Sequence, residues 1–184
     1  KPNGLIEDVY NRSRNIITTS DLNQILKAYN PMAYFPKTAS PRIGFVQCVG
    51  SRNKKNGRDY CSQVCCKISL RHINKLLHFY PDAKIKLFYI GLQIIGKEIR
   101  SKFDSLSKKI ELIQGVPFEI FDNKKDGKLS VIREDETSAT RVADHFDMMV
   151  LSVGIKPNDD TAFLKNSLNI PSDQWGFVND HNLL

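Results

Sequence analysis

The chain has 184 residues, 41% of them hydrophobic, and carries 27 Lys and Arg against 20 Asp and Glu, a net charge of +7. That length buries a core as one domain, or one and a fragment, without disulfide staples. The lysines are spread along the chain and no nucleic-acid-binding motif is present, so the basic balance reads as a solvated surface and no nucleic acid is expected as a partner. The longest apolar runs are far too short to cross a bilayer, and there is no signal peptide or lipidation motif. No transmembrane segment and a cytoplasmic location are the expectations. The first residue is Lys1 and not Met, as expected of a piece of a longer protein.

Residues 1–14 are polar and read as the tail of a preceding domain. Ile16 and Ile17 lead into Thr18-Thr19-Ser20-Asp21, a helix start, and Leu22, Ile25, Leu26 and Tyr29 follow at helical spacing until Asn30-Pro31 stops them. The proline-containing segment from Met32 to Pro41 reads as a linker. Ile43, Phe45 and Val46 form a buried strand that ends in a turn at Cys48-Val49-Gly50-Ser51. A basic loop follows (Arg52, Lys54, Lys55, Arg58), and then Val64, Ile68, Ile73, Leu76, Leu77 and Tyr80 recur with helical period. Pro81-Asp82 turns the chain into a second strand, Ile85 to Ile90. Gly96 opens a helix with Ile99, Phe103 and Leu106, and Ile110 to Ile113 is a third strand. The alternation predicts right-handed crossovers and a parallel sheet. Pro117 to Phe121, a turn at Asn123 to Gly127, Lys128 to Arg133 and a polar turn around Asp135 to Ala139 predict an antiparallel meander, and Phe146 to Val153 returns as a strongly apolar strand.

All four cysteines, Cys48, Cys61, Cys65 and Cys66, fall within nineteen residues. The periodicity places the last three at or near a helix N-terminus, with Cys61 and Cys65 four apart on one face and Cys66 about 100° further round. Cys48 approaches from the strand end. A helix N-terminus and a basic loop both favour thiolate, and backbone donors near Gly50 and Ser51 are positioned to hydrogen-bond the sulfurs of a 4Fe–4S cluster. Three other readings stand beside that one. Structural zinc uses four thiolates, but the gaps of twelve, three and zero residues are not the usual pair of short hooks. Disulfides conflict with a reducing compartment and would make a strained Cys65–Cys66 pair. Unrelated buried cysteines are the plainest reading. The glycine-rich fingerprint of a dinucleotide site is absent after the first strand, so no NAD(P) is expected there. A cluster could take the anion site that a pyrophosphate uses elsewhere.

The runs GFVQCVGSR, YCSQVCC, KLFYIGLQIIGK and FDMMVLSVGIKP resemble the A-type flavoprotein subunit of heterodisulfide reductase. They are similar also to its relatives in the quinone-interacting oxidoreductase complex of sulfate reducers and in sulfur-oxidising heterodisulfide reductase-like complexes. The resemblance runs from about Asn15 to Asp180, over the middle portion of a family member. It implies that Cys48, Cys61, Cys65 and Cys66 hold a noncubane-motif 4Fe–4S cluster close to FAD. Gly50, Ser51 and Arg52, in the turn that follows Cys48, are the expected cofactor-binding residues. Both FAD motifs of the full-length protein lie outside this chain. The family usually has an Asp and an Arg where this chain reads Gly91-Leu92-Gln93, so whatever those groups contact is lost here.

The fold expected is α/β, a Rossmann-like parallel sheet with an antiparallel β-meander, as in the pyridine-nucleotide domain of two-dinucleotide-binding flavoproteins. Residues 1–40 are the remnant of a preceding, FAD-side domain and linker, 41–157 the Rossmann-like domain with the cysteine motif, and 158–184 a segment leading back towards the FAD domain. The expected function is an iron–sulfur electron-transfer module of an FAD- and 4Fe–4S-dependent oxidoreductase, passing electrons between flavin and partner iron–sulfur subunits of the heterodisulfide reductase-like kind. No residue of the fragment is assigned a catalytic role, and the fragment alone is not expected to be catalytic. The alternatives are a metal-free thiol/disulfide oxidoreductase, against which the spacing speaks, and a cluster-less docking scaffold of the same fold. His72 is expected on the helix surface, His78, His145 and His181 in solvent, Trp175 in packing, Lys97, Arg100 and Lys102 on a solvated helix face, and Glu134-Asp135-Glu136 in a turn.

Overall fold

Strands β1 (Ile16–Thr18), β2 (Arg42–Val49), β3 (Lys84–Tyr89), β4 (Glu111–Gln114) and β8 (Met148–Val153) are joined side by side in the order β1-β8-β2-β3-β4, all parallel. The structure is a computed structural model that describes Tyr10 and residues 13–123, 126–135, 138–158 and 160–178. The central strands β2 and β8 are buried along almost their whole length. Their near-continuous apolar runs are what a parallel strand covered on both faces requires.

Each face has its own cover. Ile43, Phe45 and Val150 meet helices α1 (Thr19–Ile25), α2 (Cys65–Phe79) and α3 (Lys97–Leu106) through Leu22, Leu70, Ile73, Leu76 and Leu106. Val46, Met149 and Leu151 point the other way. They pack on Ile120, Leu129, Val131 and Phe146 of an antiparallel meander made of β5 (Glu119–Asn123), β6 (Lys128–Asp135) and β7 (Thr140–Phe146). A fourth helix, α4 (Thr161–Leu168), follows β8. The parallel sheet with an antiparallel meander is the fold class that the sequence implied.

Four details differ from the sequence reading. Ile16–Thr18 is a strand of the sheet, paired with Met149–Leu151. The helix after it ends at Ile25, leaving Tyr29 beyond it and fully exposed. Phe146 closes β7 instead of opening the return strand, and the seven-residue strand Thr140–Phe146 takes the place of loop. That strand is hard to see because it alternates with polar groups, one of which is paired: Asp144 accepts from Lys86 Nζ at 2.9 Å and from Arg133 Nε at 2.8 Å, tying the meander to β3. Burial alone would raise the Asp144 carboxyl, but these two cations outweigh it and hold it below the ordinary carboxylate range. Finally, Glu134 and Asp135 lie in β6 and not in a turn, while Glu136 is outside the described residues.

His72 is not on the helix surface but inside, 1% exposed, with neither ring nitrogen hydrogen-bonded to a described residue. The buried arc of α2 runs through Cys66, Ser69, Leu70, His72, Ile73 and Leu76 and is wide enough to take in a polar position. Gln47, on the same side of β2 as Ile43 and Phe45, is equally buried and its amide is equally unpaired. Ser69 and Ser152 share a buried hydroxyl contact of 2.8 Å in this layer. Burial first, and then Arg71 and Lys75, push the His72 pKa down from 6.5 to about 4. The folded state therefore resists a proton that the unfolded state accepts. The stability this represents is complete above about pH 6.5 and falls by up to about 3 kcal/mol as pH drops to 4. Urea unfolding of the native chain and of His72→Leu at pH 4 to 7.5 is expected to show that slope in the first and a clearly shallower one in the second.

Candidate metal centre

Strand β2 carries one residue more than β8 between its last two pairings: Val46 faces Leu151 and Val49 faces Val153. This is a bulge, and Cys48 sits in it with φ 60. The left-handed conformation is unfavourable for a side chain bearing a Cβ, and such residues gather at sites where the chain must aim a group out of a regular ladder. Gly50, with φ 70, turns the chain, and the Ser51 N–H closes the turn on the Cys48 carbonyl at 3.1 Å.

The basic loop then folds back on itself. Asn53 and Arg58 exchange backbone bonds of 2.8 and 3.2 Å around a single helical turn, Lys54–Asn56, and the Arg52 N–H reaches the Tyr60 carbonyl at 3.1 Å. Cys61 is thereby returned to the side of Cys48. Helix α2 begins only at Cys65, with no capping side chain and no acidic residue in its first turn, so its positive end is turned to the thiols. Cys65 and Cys66 are its first two residues. Cys61 lies before it in irregular chain, so the helical i, i+4 relation expected between Cys61 and Cys65 does not hold.

All four cysteines are free thiols, Cys66 buried and the others half-buried. The Cys65 thiol points to the Val153 carbonyl at the end of β8, 3.7 Å away, and Cys66 Sγ accepts from the Gln93 N–H in the loop after β3 at 3.5 Å. Cys61 Sγ accepts from the Gln63 N–H at 3.4 Å. The sulfurs thus collect at the carboxyl ends of β2, β3 and β8, where the chain leaves β2 for β3 on one side and returns in β8 on the other. That is the switch point at which open α/β sheets bind ligands. They are close enough to act on each other. Burial first, then neighbouring cysteines, raise the Cys48 and Cys66 thiols and lift Cys65 to about 11, while Arg52 pulls against the rise at Cys48 and Cys66. Among the described residues no three His, Cys, Asp or Glu side chains are drawn together around a single-ion site.

No model of a protein family matches the chain. Among curated proteins, the second A-type iron-sulfur subunit of the CoB–CoM heterodisulfide reductase of Methanopyrus kandleri is 31% identical over 172 residues, 89% of this chain and 26% of that protein. The A-type subunit of the H(2):CoB-CoM heterodisulfide,ferredoxin reductase of Methanothermobacter thermautotrophicus is 30% identical over 187 residues, 96% of this chain and 28% of that one. The chain belongs to the family of heterodisulfide reductase A-type subunits. It spans about a quarter of the length of these relatives. In fold it is similar to the crystal structure of thioredoxin reductase from Lactococcus lactis, with a TM-score of 0.53 and 17% identity over 95% of this chain and 47% of that one.

Within this member of the heterodisulfide reductase family the donors differ from those read in the sequence. The Ser51 and Arg52 N–H groups are used inside the loop. The donors that reach sulfur come from Gln63 and from Gln93, and the Arg52 guanidinium lowers the Cys48 thiol pKa against its burial. The group Gln93 offers is a backbone N–H, indifferent to side-chain identity. Arg52 also lays its guanidinium on Gly91, 3.5 Å from the carbonyl, where a Cβ would stand 3.2 Å from its nitrogen.

The remaining candidates lie apart. His78 is exposed at the end of α2, and His145 is exposed on β7 beside the Ser130 hydroxyl at 3.2 Å. His181 is outside the described residues. Lys97, Arg100 and Lys102 are exposed, Arg100 paired with Asp104 along the helix. Trp175 does more than pack, since its Nε1–H donates to Asp59 Oδ1 at 2.6 Å beside the cysteine loop. Its only sequence signal was the neighbouring Gly176-Phe177.

At Gly154, just past β8, a Cβ would collide with the hydroxyls of Ser51 and Ser62, and Ser62 Oγ is already holding the Ile155 N–H at 2.9 Å. Gly154→Ala is expected to lower unfolding stability by about 1–3 kcal/mol, and Ser51→Ala in the same chain to restore part of it. A double-mutant cycle by denaturant titration measures the coupling.

Proposed function

We propose that Cys48, Cys61, Cys65 and Cys66 hold a 4Fe–4S cluster, and that this chain is the iron–sulfur electron-transfer module of a larger FAD-dependent oxidoreductase. The observation that carries the reading is the convergence of four unpaired thiols, from a strand bulge, a loop and a helix N-terminus, on the switch point of the sheet. The donor set fits. A four-iron cluster is held by four cysteine thiolates, and the chain brings four unpaired cysteines to one end of the sheet. Such a cluster, when bound, gains and loses electrons one at a time.

The chain's own residues have definable parts in this. Gly50 makes the turn that lets Cys48 face Cys61. The Arg52 guanidinium and the open N-terminus of α2 offset the negative charge that four thiolates bring. The Gln63 and Gln93 N–H groups donate to Cys61 and Cys66, the kind of contact that tunes a centre's potential. In the metal-free chain, burial and mutual proximity keep the Cys48, Cys65 and Cys66 thiols protonated. That is the opposite of what a reactive thiolate needs, so metal-free disulfide chemistry is the weaker reading, while a metal that binds here must displace those protons.

The names of the relatives, which call both of them components of heterodisulfide reductases and the first of them iron-sulfur, support the wider assignment. The whole protein is proposed to be an oxidoreductase with FAD held by segments beyond these residues and with further iron–sulfur subunits as partners. Among the described residues no helix is long and apolar enough to cross a membrane, and a cytoplasmic site of action is part of the proposal. Iron and acid-labile sulfide per chain, measured on protein prepared without oxygen, are expected at about four each. Each single Cys→Ser replacement, and Gly50→Val at its positive φ, is expected to cut the iron retained by at least about half. Chains that take up no iron even after anaerobic reconstitution would refute the assignment.

A further inference from the structure

Three of the four cysteines are built into regular elements, Cys48 in β2 and Cys65 and Cys66 in α2, whereas Cys61 stands in irregular chain. Its position depends on what holds Asp59 to Ser62. Part of that hold is the exit of β8: Tyr60 Oη donates to the Ile155 carbonyl at 2.8 Å, and the Ile155 N–H donates to Ser62 Oγ at 2.9 Å. A second part is local, the Arg52 N–H on the Tyr60 carbonyl at 3.1 Å, and a third comes from far along the chain. The Trp175 ring lies 5.3 Å from that of Tyr60, Phe177 meets the Tyr60 ring edge-on at 5.3 Å, and Trp175 Nε1–H donates to Asp59 Oδ1 at 2.6 Å.

The segment that presents these rings is itself a built turn. Asp173 Oδ1 accepts the N–H groups of both Trp175 and Phe177 at 2.9 Å, the Asp173 N–H donates to the Phe177 carbonyl at 2.8 Å, and Gly176 takes the φ of 90 that the turn needs. Lys165 of α4 donates to the Gly176 carbonyl at 2.9 Å and anchors it from behind. Edge-on and tilted aromatic pairs stabilise beyond their buried area, and a hydrogen bond to a charged acceptor is among the stronger polar contacts.

We propose that Trp175 and Phe177, acting through Asp59 and Tyr60, are the positioning residues for Cys61, so that the segment Asp173 to Phe177 forms the outer wall of the metal centre. The wall restricts the one cysteine that lacks a helix or strand of its own. This rests on the cluster assignment above for its purpose, but its geometry concerns only the chain.

The test separates the two. In the full, metal-free, reduced chain kept without oxygen, alkylation by iodoacetamide is followed cysteine by cysteine with mass spectrometry. Trp175→Ala is expected to raise the Cys61 rate roughly tenfold, the loss of one hydrogen bond to a charged group, with Cys48, Cys65 and Cys66 unchanged. Trp175→Phe, which keeps a ring but not the N–H, and Asp59→Ala lose the same hydrogen bond and should raise it about as much, whereas Asp59→Asn, which keeps a neutral acceptor oxygen, should raise it clearly less. An unchanged Cys61 rate, or a rise at all four cysteines together, overturns the proposal whatever the iron content. The same variants, loaded with iron and sulfide and challenged with a chelator, are expected to lose iron faster than wild type. Equal loss alongside a faster Cys61 rate would overturn the claim that the wall serves the metal centre.

Discussion

One extra residue in β2, between Val46 and Val49, is the constraint on which the centre depends. Without the bulge, Cys48 would continue the alternation of Val46 and point into the meander layer, away from α2. With it, Cys48 leaves the sheet at its carboxyl edge and Val49 resumes the buried side, as its place among Val46 and Leu151 in the meander-side core shows. The bulge demands a left-handed residue at Cys48, and the turn that follows demands another at Gly50. The surrounding sheet, paired on both sides of β2, holds this strained stretch in place.

The electrostatics of the site follow from what is gathered there. Thiols that are buried and crowded are pushed towards the neutral form, and the Arg52 side chain, the Gln93 N–H and the start of α2 push back. In the bare chain burial and crowding win, and the Cys48, Cys65 and Cys66 thiols stand above the ordinary cysteine range. A group that stabilises thiolate directly would settle the balance, as metals do by displacing the proton. A pyrophosphate site of the ordinary Rossmann kind puts glycine at the same turn for close approach; here a long closed loop fills that space and brings a cysteine back instead.

The rest of the fold supplies rigidity at a distance. The meander is bound to the sheet by an apolar face and by the Asp144 bridge to Arg133 and Lys86, and the helices cover the opposite face. Beneath the cysteines this helix layer admits polar groups, the Ser69–Ser152 pair and the unpaired Gln47 and His72. Buried polar atoms without partners cost stability, so the layer is not optimised for packing alone at this end.

Much of the molecule is legible in the order of its residues. Apolar period identified the central strands and the helices because burial on two faces, or along one helical stripe, leaves a local signature, and the four cysteines announced themselves by proximity in the chain. The reading failed where position is decided by partners distant in sequence. Strand β7 is polar on alternate residues and is recognisable only once Asp144 is seen beside Lys86 and Arg133. His72 is a polar letter on a buried arc. The donors to sulfur at Gln63 and Gln93 are backbone groups, which carry no residue identity at all. Trp175 reaches Asp59 across 116 positions. The sequence by itself determined which residues have the chemistry and which elements carry them, because composition and periodicity act locally. Only the tertiary structure decided that Cys61 stands off the helix, that Cys48 leaves its strand through a bulge, and that a turn near the end of the chain braces both loop and site, because those depend on strand register and long-range packing that no local pattern encodes.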